Sequence, residues 1–299
     1  MPKRNAGHEV GRSVREYGRG VAGGLLFSLP LLYTAEMWSA GLVMHPARLM
    51  IYVLGTFLLL LGYNRYVGLH RDHSWVEVAI DSVEEMGLGI ILAAIVLFLV
   101  GRIADGEGTR GAVGQIVAEA MTVAIGVSVG TAQLGGGGGG GGSAKGGDNG
   151  AGFAAEGGAR GRVKGRAATG SFAGQIVIAL CGAVLFAANV APTEEVLIVA
   201  AESSTLRLLG LAVLSLFVGA VILFHSGFLN AEVHVARGGP LPMLLMVALT
   251  YAVALVASAA ILWFFGRFDG AGLMLCVSQV LVLGFVATLG ASAGRLLLQ

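Results

Sequence analysis

The chain has 299 residues, with 19 lysines and arginines against 18 aspartates and glutamates, for a formal charge of +1. Hydrophobic residues make up 56% and charged residues 12%, with a mean hydropathy of +0.81, and that charged share is about half of what a soluble domain carries. This balance excludes a soluble globular protein and a nucleic-acid binder and leaves an integral membrane protein.

Lys3, Arg4, Arg12, Arg15 and Arg19 precede the first apolar stretch. No small-x-small site closes a short apolar core there, so a cleaved signal peptide is the weaker reading. A bilayer core takes about 20 apolar residues as helix. Eight segments qualify, at about 20–40, 47–64, 78–100, 112–134, 171–191, 206–228, 241–265 and 271–294. The expected fold is all-α, a polytopic bundle of eight transmembrane helices. Pro30 lies inside the first span and can kink it. Ser74 followed by Glu77 fits a capping box that starts the third helix. Residues 135–142 are eight consecutive glycines, and 135–170 reads as a flexible basic cytoplasmic linker. The chain thus divides into a membrane unit over 1–134, this linker, and a second membrane unit over 171–299.

Orientation follows from the basic residues. With the N-terminus inside, the five before span one, Arg65, Arg71, Lys145, Arg160, Arg162, Lys164, Arg166, Arg237 and Arg295 are internal, which is 14 of the 19. Arg48, Arg102, Arg110, Arg207 and Arg267 are external, which is five. The asymmetry places both termini in the cytoplasm and the chain in the cytoplasmic membrane.

The two membrane units look alike at matched places. Gly101-Arg102 closes span three and Gly266-Arg267 closes span seven, with the arginines 165 positions apart. Gln115 and Gln279 lie 164 apart, Arg48 and Arg207 159 apart, and Glu36 and Glu194 158 apart. Four spans per unit is an even number, so the repeats would be parallel, related by an axis along the membrane normal.

Ionisable groups in lipid are costly and should face the bundle interior or a hydrated cavity. In span three, Glu77, Asp81, Glu84 and Glu85 fall at helical spacings that cluster them on one side. The stripe reads either as the lining of an inward-facing vestibule for cations or protons, or as interfacial acids of a helix that enters lipid only near Met86. Glu119 in span four is the cleaner case, with Gln115 one turn earlier on the same side. It is either a proton relay or cation ligand, or an acid hydrogen-bonded to a neighbouring helix. The candidate ion path is therefore Asp81, Glu84, Glu85, Gln115 and Glu119. Glu36, beside the interfacial anchor Trp38, can reach the headgroups. Glu194, Glu195 and Glu202 make either a negative outer mouth or ordinary solvated loop acids.

Other chemistry is poorly supported. His70, Asp72 and His73 could in principle hold one metal, but a solvated loop explains them as well, and His225 reads as a local hydrogen bonder. Cys181 and Cys276 sit in apolar runs and read as small hydrophobes. Gly18, Gly20 and Gly23 match G-x-G-x-x-G without the strand that motif needs. Gly20 with Gly24, Gly126 with Gly130 and Gly290 with Gly294 serve helix contact instead. Catalytic signatures are missing, so neither an enzyme nor a cofactor is expected.

The run 31–38 with Glu36, the His70–His73 loop, the Glu84-Glu85 pair and the Gly101-Arg102 ending resemble a family of bacterial integral membrane proteins, the DUF2391 type. The resemblance covers most of the chain outside the glycine tract and implies a multi-pass fold in a bacterial inner membrane without assigning any activity or functional residue. Two functions from different classes follow from the residues: a transporter or channel for an inorganic cation or proton, and a non-transporting scaffold or sensor. The expected partners are the lipid bilayer and that ion, with a homo-oligomer left open.

Overall fold

A computed structural model describes residues 3–67, 74–103, 109–135, 172–225 and 241–297. The linker beyond residue 135 and the His70–Asp72–His73 group lie outside the described residues. The first half comprises α1 (Lys3–Leu32), α2 (Ala35–Val43), α3 (Pro46–Tyr66), α4 (Trp75–Leu99) and α5 (Thr109–Gly135). The second comprises α6 (Phe172–Val190), α7 (Glu194–Glu202), α8 (Thr205–His225), α9 (Leu241–Phe264) and α10 (Leu273–Leu297). The protein is an all-α polytopic membrane bundle.

Seven helices among the described residues are long and apolar enough to cross a bilayer: α3, α4, α5, α6, α8, α9 and α10. The expected first span, 20–40, is divided. Pro30 lies near the end of α1, the helix stops at Leu32, and Thr34 donates its hydroxyl to the Pro30 carbonyl at 2.6 Å. Proline cannot donate to the ladder, and the threonine captures a carbonyl that a continuing helix would use. The charge-free part of α1, residues 20–32, is 13 residues long, or about 20 Å at 1.5 Å per residue, against a core of about 30 Å. Glu36 accordingly falls in the first turn of α2 rather than at the end of a span. Likewise Glu194 and Glu195 open the helix α7 rather than occupying a loop, where acids complement the helix dipole.

Two helices organise the bundle. α5 packs against α1, α2, α3 and α4, and α10 packs against α6, α7, α8 and α9. α5 is rich in Ala, Gly, Ser, Thr and Val, and α10 places Ala287, Thr288, Gly290, Ala291, Ser292 and Gly294 near its end, small side chains that let several helices approach. α5 is buried on all sides from residue 118 to 130. α1 meets α5 where Gly23 faces Gly126 and Gly130, and α6 meets α10 where Gly182 faces Gly290 and Gly294. A Cβ on Gly23 would stand 2.7 Å from the Gly126 carbonyl oxygen, and one on Gly182 would stand 2.9 Å from the Gly290 carbonyl carbon. Gly20 and Gly24 lie against Val127 of α5, and Gly126, Gly130, Gly290 and Gly294 serve contact as expected. The closest backbone partners are Gly23 and Gly182, which the small-residue spacing alone does not pick out.

Local chemistry sets the helix ends. Ser74 and Glu77 form the capping box, with Glu77 N–H donating to Ser74 Oγ at 3.4 Å and Ser74 N–H donating to Glu77 Oε2 at 2.8 Å. α4 and α9 both end in a glycine with positive φ, Gly101 at +75° and Gly266 at +71°. The following arginine N–H then reaches back, Arg102 to Leu97 O at 2.8 Å and Arg267 to Leu262 O at 2.9 Å. This is the glycine-closed helix end of a Schellman turn.

The halves meet mainly through α6, which touches α1, α3 and α5, and through α3 against α9. Asn189 on α6 donates to the Phe27 carbonyl of α1 at 3.1 Å. The Tyr52 ring on α3 stacks on Phe264 of α9 with centroids 3.9 Å apart. One turn earlier, Arg48 grips Asp269, beyond α9, through two bonds of 2.7 and 2.8 Å, and its guanidinium lies 5.6 Å from the Trp263 ring centroid.

That ion pair carries a pH signature. The hydrogen bonds from Arg48, and then its charge, hold the exposed Asp269 carboxyl below the usual aspartate range. A depressed folded value means the pair's stabilisation is fully present above the unfolded aspartate pKa of about 3.9 and is lost as pH falls through the lower folded value. Trp263 fluorescence should therefore stay constant from neutral pH down to about 4 and change only below it. Asp269→Asn should show the released signal at every pH, and a wild-type transition near pH 6 would contradict the assignment.

Candidate functional site

The five expected path residues separate into two places. On α4, Glu84 and Glu85 diverge, since consecutive helical residues point about 100° apart. Glu84 is exposed and accepts from the Tyr17 hydroxyl of α1 at 3.2 Å. Glu85 turns inward and accepts from Asn64 Nδ2 of α3 at 2.7 Å. Asn64 Nδ2 also approaches Ser82 Oγ at 3.1 Å, and its Oδ1 accepts from Ser128 Oγ of α5 at 3.0 Å. Glu77 is exposed and occupied with the cap, and Asp81 is half-buried. Asp81 and Glu84 both lie within electrostatic reach of Glu85, so like charges crowd this end of α4. The one-sided stripe is thus divided among a cap, a surface contact and an interior network.

Glu119 and Gln115 stay together. Both belong to α5, four residues and one turn apart, at 0% and 2% exposure. Gln115 Nε2 donates to the Trp38 carbonyl of α2 at 3.3 Å. Its Oε1 and both carboxyl oxygens of Glu119 have no hydrogen-bond partner. A turn onward, Thr122 shares a 2.9 Å hydrogen bond with the Tyr52 hydroxyl, and Tyr52 lies within electrostatic reach of Glu119. From Glu119 to Ser128 is nine residues, so the two places lie about 13 Å apart along α5.

A polar seam joins them. The buried face of α3 is Tyr52, Thr56, Leu60, Tyr63 and Asn64, four of them polar, and it is tied to α5 by the bonds between Tyr52 and Thr122 and from Ser128 to Asn64. Asn64, Ser82, Ser128, Tyr52 and Thr122 were missed by the acid-centred reading. The signal that finds them is Tyr52, Thr56 and Asn64 recurring at helical spacing within an apolar run, a polar stripe hidden by its apolar surroundings.

Trp38 is half-buried, with its indole N–H donating to the Leu32 carbonyl at 3.2 Å and the Arg102 guanidinium 4.3 Å from its ring centroid. Arg267 instead donates to the Pro192 carbonyl. Cys181 is buried and Cys276 half-buried, both as free thiols. Among the described residues no group of three or more His, Cys, Asp and Glu is placed to hold a metal ion.

Comparison with curated proteins and with solved structures returned no match. Residues 16–298 match a family model described as "Putative integral membrane protein (DUF2391)". That range runs through both halves of the bundle, and the chain belongs to this family of multi-pass integral membrane proteins.

Proposed function

We propose that the protein moves a proton or an inorganic cation across the bilayer, as a transporter or channel and not as an enzyme, along the seam between α3 and α5. The observation that carries this reading is Glu119, a fully buried carboxyl with neither oxygen partnered. Buried polar groups are normally satisfied, and an isolated acid in a membrane interior is costly to keep. Glu85 and its network lie at the other end of the same helix pair, beside exposed Glu84, where a cation from water would first meet negative charge.

The reading extends to architecture. Two parallel four-span repeats, with the apolar part of α1 continued by α2 as the eighth span, are supported by matched features of each half. Both have a nine-residue second helix, a glycine-closed turn after the fourth, and a central fifth helix crossed at glycine by the first. Gly23 and Gly182 lie 159 positions apart, and Gly126 and Gly290 lie 164 apart, the same offsets that relate Arg48 to Arg207 and Gln115 to Gln279. With the basic residues as counted, both termini face the cytoplasm of a bacterial inner membrane.

A non-transporting scaffold or sensor is the alternative. It is favoured by the Asn64–Glu85–Ser128 network, where an intramembrane acid is held by neighbouring helices. Purified protein in proteoliposomes, with proton- and cation-sensitive dyes across imposed gradients, separates the two. Transport predicts flux in wild type that falls at least about 100-fold in Glu119→Gln, the scale expected when an essential proton-transfer group is removed. Equal behaviour of wild type, variant and empty vesicles under every gradient favours the scaffold.

A further inference from the structure

We infer that Glu119 and Gln115 form one dehydrated site that holds either a proton or a single monovalent cation, never both, so that the two exchange for one another. The inference rests on the transport reading above and names its substrate class.

The first ground is the kind of atom left without a partner. The amide of Gln115 is oriented by its neighbour, because Nε2 donates to the Trp38 carbonyl and a flipped amide would set oxygen against oxygen. Its Oε1 is therefore the free end, one turn from the two free oxygens of Glu119 on the same helix face. All three unsatisfied atoms are acceptors. What is missing is a donor or a cation, and an anion or a bare carbonyl cannot fill the place.

The second ground is charge. Among the described residues no charged side chain acts on Glu119, whose surroundings are dominated by burial. Tyr52 on α3 is the titratable group that feels it. Around Ala118, one residue before Glu119, pack Leu31 of α1, Met37 of α2, Leu49 of α3 and Phe265, all apolar. The empty site carries one negative charge, and one proton or one monovalent cation neutralises it. A divalent cation, or a proton together with a cation, leaves a buried positive charge that nothing offsets.

The third ground is that both occupants use the same atoms. With the proton bound, the Glu119 O–H can donate to Gln115 Oε1. With a cation bound, that oxygen and the two carboxylate oxygens replace part of its hydration shell. Loading the cation breaks the O–H bond and releases one proton, and the reverse step restores it, so charge and atoms balance. The matched place of the second half differs. Gln279 also donates Nε2 to a backbone carbonyl, that of Arg267 in the turn after α9 at 3.4 Å, and its Oε1 is unpartnered. The residue one turn on is Leu283, fully buried and without charge. A neutral amide alone does not hold a bare cation, so among the described residues the duplicated place does not form a second exchange site.

The test uses the full-length protein in detergent. Melting temperature is followed while lithium, sodium, potassium or calcium chloride replaces choline chloride at constant ionic strength, between pH 6 and 9. At least one monovalent cation should raise the melting temperature saturably, with apparent affinity falling about tenfold per pH unit on the acid side, as competition with one proton requires. Calcium should match choline. Glu119→Gln should abolish the effect, and Gln115→Leu should weaken the affinity about tenfold or more while keeping the pH dependence. Should either variant fail to fold, the wild-type pH competition decides alone. No monovalent effect beyond choline, an effect independent of pH, or its survival in Glu119→Gln overturns the inference. If proteoliposomes still carry Glu119-dependent proton flux, a negative binding result removes the cation and leaves the transport reading standing. Absence of both binding and flux removes both.

Discussion

Glu119→Leu is expected to make the protein more stable and to silence it. The carboxyl sits in the packed centre of α5 at 0% exposure with two unpartnered oxygens, and each unsatisfied buried polar group costs about 1–3 kcal/mol. Leucine is close to glutamate in size and brings no polar atom. At the matched place of the second half Leu283 is already fully buried, so the packing around such a position accepts it. A gain of about 1–3 kcal/mol corresponds to roughly 2–10 °C in melting temperature for a chain of this class. The same variant should show ion flux at the level of empty vesicles. The combination is what separates a residue kept for function from one kept for structure: a structural carboxyl would give a lower melting temperature when removed, and that outcome would contradict the assignment of Glu119.

The second large effect concerns the helix crossings. Gly23→Val and Gly182→Val are each expected to abolish recovery of monodisperse protein from detergent. An added Cβ at Gly23 meets the Gly126 carbonyl and the Gly130 backbone, and one at Gly182 meets the Gly290 backbone. Overpacking typically costs about 1–3 kcal/mol when side chains can yield. Here the obstacle is main chain on both helices, so the helices themselves must separate, and with them the contacts along α5 or α10. Gly55→Ala provides the contrast. It lies within α3 with nothing within 4 Å of an added Cβ, and it should be neutral or stabilise by up to about 1 kcal/mol through helix propensity. Melting curves and size-exclusion profiles of the three variants check the ranking, and a folded Gly23→Val protein with unchanged melting temperature would refute it.

The long helices are legible in the sequence because a bilayer converts length and apolarity directly into a span. The capping box at Ser74 and the Gly-Arg ends of α4 and α9 are legible because their chemistry lies within a few residues. The division of the first span is less so. Pro30 signals a kink, but the stop at Leu32 and the restart at Ala35 also depend on Thr34 and on what α2 packs against. α7 escapes a span-based reading because nine residues cannot cross a bilayer. In the candidate site, Glu119 and Gln115 announce themselves as polar groups one turn apart in an apolar run. The fates of Glu84 and Glu85 do not, since helical spacing fixes their angle and not which neighbour lies on each side: Tyr17 claims one and Asn64 the other. Uncharged polar residues such as Ser128 are common in membrane helices, and only the packing of α3, α4 and α5 singles them out.

Tyr52 has one end in each half of the molecule. Its ring rests on Phe264 of α9, while its hydroxyl is tied to Thr122, one turn from Glu119. The side chain is in effect a lever whose handle belongs to the second half and whose tip works beside the acid of the first. Any sliding of α9 over α3 must either drag the tip or break the stack, so the surroundings of Glu119 register the relative position of the halves through a single aromatic residue. Tyr52→Phe removes the tip and keeps the handle; Phe264→Ala does the reverse.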